Sequence, residues 1–211
     1  MIKVFYADSR ACQEQYSLLD LLAKLPASMK ERAFRYRFPK DAFNFVLGRL
    51  MLQRGIRDFG LSPTSLETLQ YNEQDKPLLP ELFFNISHSE HLIVCAMTQL
   101  GDLGIDIEVI RPMELEHFKS CFTPSEWQTI LQAENSLNQF LTYWTQKESV
   151  IKATGMGLSQ LNQVVLDISD EIQLDGETWY LQPLSLREDC LVHLCSQHAG
   201  VTVELIDFVA D

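Results

Sequence analysis

Asp106 and Glu108 stand two apart in Gly104-Ile105-Asp106-Ile107-Glu108, a spacing that puts both side chains on one face of a strand and sends Ile105 and Ile107 to the other. Carboxylates that close repel, and one of them resists ionisation. A hard divalent cation removes the penalty, and Mg²⁺ takes such oxygen ligands together with substrate phosphates. The same pair also fits an exposed edge strand with a solvated acidic face. A second segment, Phe140 to Lys152, reads F-L-T-Y-W-T-Q-K-E-S-V-I-K. Wound as a helix, it groups Phe140, Trp144 and Ile151 on one arc, with Lys147 in the middle and Glu148 on the flank. A buried Lys147 demands an anionic partner. Glu148 and Lys152, four apart, also make an ordinary helix ion pair. Together these features fit a helix whose apolar face borders a phosphate and metal site, with Lys147 as support behind it. The third segment, Phe84-Asn85-Ile86-Ser87-His88-Ser89, reads as a strand end followed by a polar turn of hydrogen-bond donors. His88 fits either a phosphate contact or a plain capping or surface histidine.

Several other chemistries fall away. No second histidine or cysteine stands at zinc-ligand spacing, and no nucleophile elbow surrounds either serine of the third segment. Neither glycine-rich phosphate loop, G-x-x-x-x-G-K-[ST] or G-x-G-x-x-G, occurs in the chain.

These segments need a frame. Strands are expected at 2–7, 83–86, 91–97, 105–109, 164–168, 178–183, 190–196 and 201–209, with a polar turn at Tyr71 to Pro77. Helical grouping covers 12–24, and Pro39 opens a helix with its apolar stripe at Phe43, Val46, Leu47 and Leu50. Thr123-Pro124-Ser125-Glu126 fits a capped helix start, and a further helix runs from 137 to 154 before Gly155-Met156-Gly157. Helices followed by strands occur twice, so the expected class is α+β with two similar subdomains, helices packed on small antiparallel sheets. The expected boundary gives 1–103 and 104–211.

The chain has 211 residues, 46% hydrophobic and 22% charged, with a formal net charge of −12. That composition is globular, and the charge excludes a general nucleic-acid binder. The distribution is uneven: residues 24–57 hold nine basic side chains against two acidic ones, a local +7 that leaves −19 for the rest. Such a patch suggests a small, highly charged anion as ligand. No apolar run has the length of a membrane span or a signal peptide, and the five cysteines are scattered and odd in number. A cytoplasmic protein is expected, acting off the membrane.

In chain order, F-N-I-S-H-S, G-I-D-I-E and W-T-Q-K-E-S-V-I-K-A-T-G-M-G-L resemble the signature set of the 4′-phosphopantetheinyl transferases, in the larger Sfp-like class. E-R-A-F-R-Y-R-F-P-K-D-A and G-R-L-M-L-Q resemble its helical entry region, so the match runs from about residue 31 to 158. The resemblance implies two α+β halves related by a pseudo-two-fold, with coenzyme A in the cleft between them. It implies transfer of the 4′-phosphopantetheine arm of coenzyme A to a serine of an apo acyl or peptidyl carrier protein, releasing adenosine 3′,5′-bisphosphate. Asp106, Glu108 and Glu148 match the Mg²⁺-binding acids, and Lys152 matches the active-site lysine; for such a metal-bound transfer Glu148, directly or through water, is the expected general base. His88 with the adjoining Ser87 matches a pyrophosphate contact, and Arg32 and Lys76 match groups near the coenzyme A phosphates. Some bacterial members carry a phosphate-binding arginine where this chain has Asn44, leaving Arg49, Arg35 or Arg37 to replace it. The segment Arg111 to Phe122 is a candidate docking surface for the carrier, through Phe118 and Lys119, or an ordinary connection. A monomer is expected. Two rivals fit part of the pattern: a Mg²⁺-dependent phosphodiesterase acting on coenzyme A-like pyrophosphates, and a non-catalytic coenzyme A-binding subunit.

Overall fold

A computed structural model describes residues 1–72, 76–166 and 169–210. The chain forms two compact units, Met1–Leu100 with Val201–Asp211, and Gly101–Gly200. The expected second half, 104–211, therefore gives up its end. Strand β10 (Val203–Asp207) pairs in parallel with β1 (Ile2–Asp8), and Phe208 joins the first unit's core.

The first unit is built on a four-stranded sheet in the order β10-β1-β5-β4, where β4 is Phe83–Ser89 and β5 is Leu92–Thr98. Three short helices follow β1: α1 (Ser9–Gln15), α2 (Leu18–Ala23) and α3 (Ala27–Ala33). The long α4 (Pro39–Asp58) starts with proline in its first turn and lays Phe43, Val46, Leu47 and Leu50 into the core. Gly55 lies inside this helix, where any Cβ would overlap the Met97 sulfur; the chain leaves the helix at Gly60, with φ +73°. A small hairpin, β2 (Gln70–Tyr71) with β3 (Pro77–Leu78), stands where the polar turn was expected. Glu73, Gln74 and Asp75 of that turn lie outside the described residues. The strand expected to end at Ile86 runs on: Ser87 to Ser89, expected as a turn, continue β4 in register with β5. The chain reverses one residue later, at Glu90 with φ 52°.

The second unit has an antiparallel sheet ordered β6-β9-β8-β7, from β6 (Leu103–Val109), β7 (Glu171–Leu174), β8 (Glu177–Pro183) and β9 (Cys190–Ser196). The helix α5 (Pro124–Gln132) carries the full capping box: Thr123 accepts from the Glu126 amide, and Glu126 accepts from the Thr123 amide. The helix α6 (Ser136–Thr154) ends at Gly155, whose φ of 76° makes the left-handed cap. Beyond it, residues 158–163 form a 3₁₀ helix; Val164–Leu166 of the expected strand are irregular, and residues 167–168 lie outside the described residues.

Gly104 sets how α6 meets the sheet. A Cβ there would overlap the Ser149 carbonyl oxygen and the Ala153 amide nitrogen, both backbone atoms of α6. Only a missing side chain lets helix and strand come this close. Replacing Gly104 by Ala should therefore cost about 1–3 kcal/mol, read as a lower denaturation midpoint. An unchanged midpoint would show that α6 can yield at no cost.

Candidate active site

The helix α6 crosses β6 and β9, and the chemical residues of the second unit lie along that contact. Asp106 is 3% exposed and receives the Lys152 ammonium at 2.5 Å. Glu148 is buried, while Glu108 and Lys152 are partly buried. Burial is the main reason that the Glu148 carboxyl is pushed up to about 7; Lys152 opposes the shift, and Asp106 and Glu108 add to it. Burial works against the Lys152 charge, but Asp106 and Glu148 outweigh it and raise its pKa. The four groups thus share one electrostatic environment, three carboxylates against one ammonium. A hard divalent cation fits that donor set by oxygen chemistry and by sign of charge. Among the described residues, no three His, Cys, Asp or Glu side chains are gathered into a ready-made cage.

Lys147 belongs elsewhere. It is fully buried, 2.9 Å from the Glu126 carboxylate, and donates to the carbonyls of Leu161 and Val164. The other Glu126 oxygen accepts from the Leu166 amide. The pair thus ties α5, α6 and segment 158–166 together beneath Phe122, whose ring lies 5.5 Å from the ammonium. The demand for an anionic partner is met, but Lys147 anchors a loop instead of backing the acids. Phe118 has a similar fate. Its ring packs on Phe140 and Trp144, with centroids 5.6 and 5.2 Å away, so replacing it perturbs the aromatic cluster as well as any docking surface. Lys119 remains exposed.

In the first unit, His88 is exposed and Ser87 is buried, on opposite faces of β4. The two side chains expected together at one phosphate group are therefore separated by the pleat. Arg32 donates from Nη1 to the Tyr71 hydroxyl at 2.7 Å, which brings it to the hairpin that carries Lys76. The Lys76 amide in turn donates to the Asn72 side chain. Arg32 and Arg49 both lie against the Phe45 ring, 5.6 and 5.1 Å from its centroid. A pocket of about 780 Å³ beside Arg32 is lined also by Arg35, Tyr36, Leu69 and Tyr71. Arg49 is 7% exposed, and its Nη1 has no hydrogen-bond partner among the described residues. Asn44 is taken up elsewhere, its amide donating to the Glu90 carbonyl and holding the β4–β5 turn. The basic stretch does not act as one patch: Lys40 pairs with Glu90 and Arg54 with Asp58.

The model of the 4′-phosphopantetheinyl transferase superfamily matches residues 102–204, and that of the 4′-phosphopantetheinyl transferase N-terminal region matches 11–100. The chain is 32% identical over 193 residues to 4′-phosphopantetheinyl transferase HetI of Nostoc sp., covering 85% of this chain and 81% of the relative. It is 31% identical over 191 residues to a 4′-phosphopantetheinyl transferase of Bacillus subtilis, covering 84% of each. The chain belongs to the Sfp-like 4′-phosphopantetheinyl transferases. To the transferase Sfp itself, of Bacillus subtilis strain 168, it is 31% identical over 159 residues, 73% of this chain and 70% of that one.

His193 escaped the sequence reading, as a lone histidine in an apolar strand. It pairs with Asp106 across β6 and β9, and its Nδ1 lies 2.7 Å from the buried Thr145 hydroxyl. Burial pushes its pKa from 6.5 down to about 4. The unfolded chain therefore takes up a proton below about pH 6.5 that the folded chain refuses until about 4. Stability from this group is complete above the higher value and is lost as pH falls through the window, to the extent of about 3 kcal/mol. Denaturation midpoints at pH 7 and pH 4.5 check it: replacing His193 by Asn should reduce the acid-induced drop, and an equal drop would contradict the assignment.

Proposed function

We propose that this chain moves the 4′-phosphopantetheine arm of coenzyme A onto a serine hydroxyl of an apo acyl or peptidyl carrier protein. Asp106, Glu108 and Glu148 would hold Mg²⁺, which when bound neutralises the pyrophosphate and strengthens the electrophilic character of its phosphorus. The observation that carries the reading is the meeting of Asp106, Glu108, Glu148 and Lys152 where α6 packs on β6, with the Lys152 ammonium on Asp106. A carboxylate at such a site can take the proton of an entering hydroxyl. In the proposed step the carrier serine oxygen bonds to the β-phosphorus of coenzyme A, and its proton passes to Glu148 directly or through water. The phosphorus–oxygen bond to the nucleotide breaks, and adenosine 3′,5′-bisphosphate leaves with the electron pair. Lys152 balances charge on the phosphoryl oxygens, and positioning together with charge neutralisation supplies most of the acceleration.

His88, exposed at the end of β4, is proposed as the pyrophosphate contact, and Lys76 and Arg32 as phosphate groups farther out. The Ser87 side chain is left out of this set because it is buried on the other face. Arg49, buried on Phe45 with an open Nη1, is the better replacement for the arginine absent at Asn44 than the exposed Arg35 or Arg37. Among the described residues no helix is long and apolar enough to cross a membrane, and all five cysteines are free thiols, which supports a reducing cytoplasmic setting. A monomer is proposed because one chain carries both units.

Product analysis separates this reading from its rivals. With coenzyme A, Mg²⁺ and an apo carrier protein, transfer leaves phosphopantetheine on the carrier serine. Free phosphopantetheine would point to the phosphodiesterase, and unchanged coenzyme A to a binding subunit.

A further inference from the structure

The contact of α6 with β9 carries one buried hydrogen bond between side chains that the mechanism above does not use. Thr145 is 0% exposed and His193 5% exposed, and Nδ1 of the ring lies 2.7 Å from the threonine oxygen. The same hydroxyl lies 2.7 Å from the Leu141 carbonyl, its own helix neighbour four residues back. A hydroxyl has one proton to give, and the Leu141 carbonyl can only accept it. The Nδ1 position must therefore be the donor to Thr145, which leaves the lone pair on Nε2 in the neutral ring. Thr145 is set three residues before Glu148 and seven before Lys152, along one side of α6. His193 stands directly across from Asp106 in the β6–β9 ladder, so those two side chains share a sheet face. One hydrogen bond thus joins the strand position opposite Asp106 to the helix side that carries Glu148 and Lys152.

We propose that His193 is a positioning residue for phosphopantetheine transfer: its Nδ1–H bond to Thr145 fixes the rotation of α6 on the sheet, so that Glu148 and Lys152 meet Asp106. Gly104 permits the close approach of helix to strand, and His193 sets its register. The role rests on the transfer reading above; the hydrogen bond does not.

Replacing His193 by Leu removes the donor and keeps much of the volume. Replacing it by Asn puts an amide N–H close to the position of Nδ1. With coenzyme A varied at saturating apo carrier protein and Mg²⁺, His193→Leu is expected to lower kcat about tenfold or more, since small misplacements at a reacting centre are costly. Its KM for coenzyme A should change less than its kcat, because His88, Lys76, Arg32 and Arg49, the phosphate contacts proposed in the first unit, are untouched. His193→Asn should regain most of the loss, Thr145→Val should reproduce it, and the Leu–Val double variant should be no worse than either single one. Unchanged kcat in His193→Leu, a loss explained by the unfolded fraction, an Asn variant as poor as Leu, or additive effects in the double variant would each overturn the proposal. Two measurements on the wild-type chain and the variants do not need activity. ¹⁵N NMR should find the proton of the His193 ring on Nδ1; a proton on Nε2 alone overturns the proposal even if His193→Leu fails to fold. Amide exchange over residues 145–152 should quicken in His193→Asn far less than in Thr145→Val, and equal exchange in both counts against it. A wild-type chain that transfers nothing to carriers would sink the transfer reading, and the catalytic role with it, while the NMR result still decides the bond.

Discussion

Replacing Asp106 by Ala should lower kcat/KM for transfer roughly a thousandfold or more, with the folded structure retained. Asp106 is 3% exposed, holds the Lys152 ammonium at 2.5 Å and adds to the upward push on Glu148. Its loss removes a proposed Mg²⁺ ligand and releases the lysine from its place. The fold should tolerate the change for electrostatic reasons. Glu148 loses a repulsive neighbour, and Lys152, whose side chain is 26% exposed, can turn its charge to solvent. The melting midpoint should therefore move by only a few degrees, while the Mg²⁺ concentration needed for any residual activity rises. Full activity of this variant with Mg²⁺ would remove Asp106 from the metal site.

The largest expected effect on stability lies at a different acid–base pair. Lys147→Met leaves Glu126 buried without its counter-charge, and breaking a buried pair by removing one partner costs about 3–5 kcal/mol. For a chain of this size that corresponds to a fall in Tm of roughly 10 °C. Lys147 is fully buried and Glu126 is 3% exposed at the side chain, so solvent screens neither group. The double variant Lys147→Met, Glu126→Gln should recover part of the loss, because no lone charge remains. Transfer by the folded fraction should stay within about twofold. A stable Lys147→Met protein with abolished transfer would instead return Lys147 to the reaction.

Local pattern marks most of the candidate site's elements, and long-range pairing conceals the rest. The D-x-E spacing and the Glu148–Lys152 turn are properties of one strand and one helix, and both elements stand where periodicity puts them. The sequence also shows that Lys147 needs an anion. It cannot show that Glu126, already engaged in a capping box, is the one that supplies it through a tertiary contact. Ser87 to Ser89 read as a turn because these residues are polar. In the fold, Phe84 and Ile86 pack on the helical side, while Asn85, Ser87 and Ser89 are buried on the other face, the two-residue period of a strand. The destination of the last strand was equally hidden: a parallel pairing of β10 with β1 joins residues about two hundred apart, and no local signal encodes it. The contacts of His193 are equally hidden, since neither Thr145 nor Asp106 is near it in sequence.

The most direct test follows the intact mass of an apo carrier protein incubated with coenzyme A and this chain, with Mg²⁺ or with excess EDTA. Transfer through the Asp106, Glu108 and Glu148 site requires a gain of one phosphopantetheine per carrier with Mg²⁺ and none with EDTA. A carrier whose mass stays unchanged in Mg²⁺ would contradict the proposed function, and an equal gain in EDTA would contradict the proposed site.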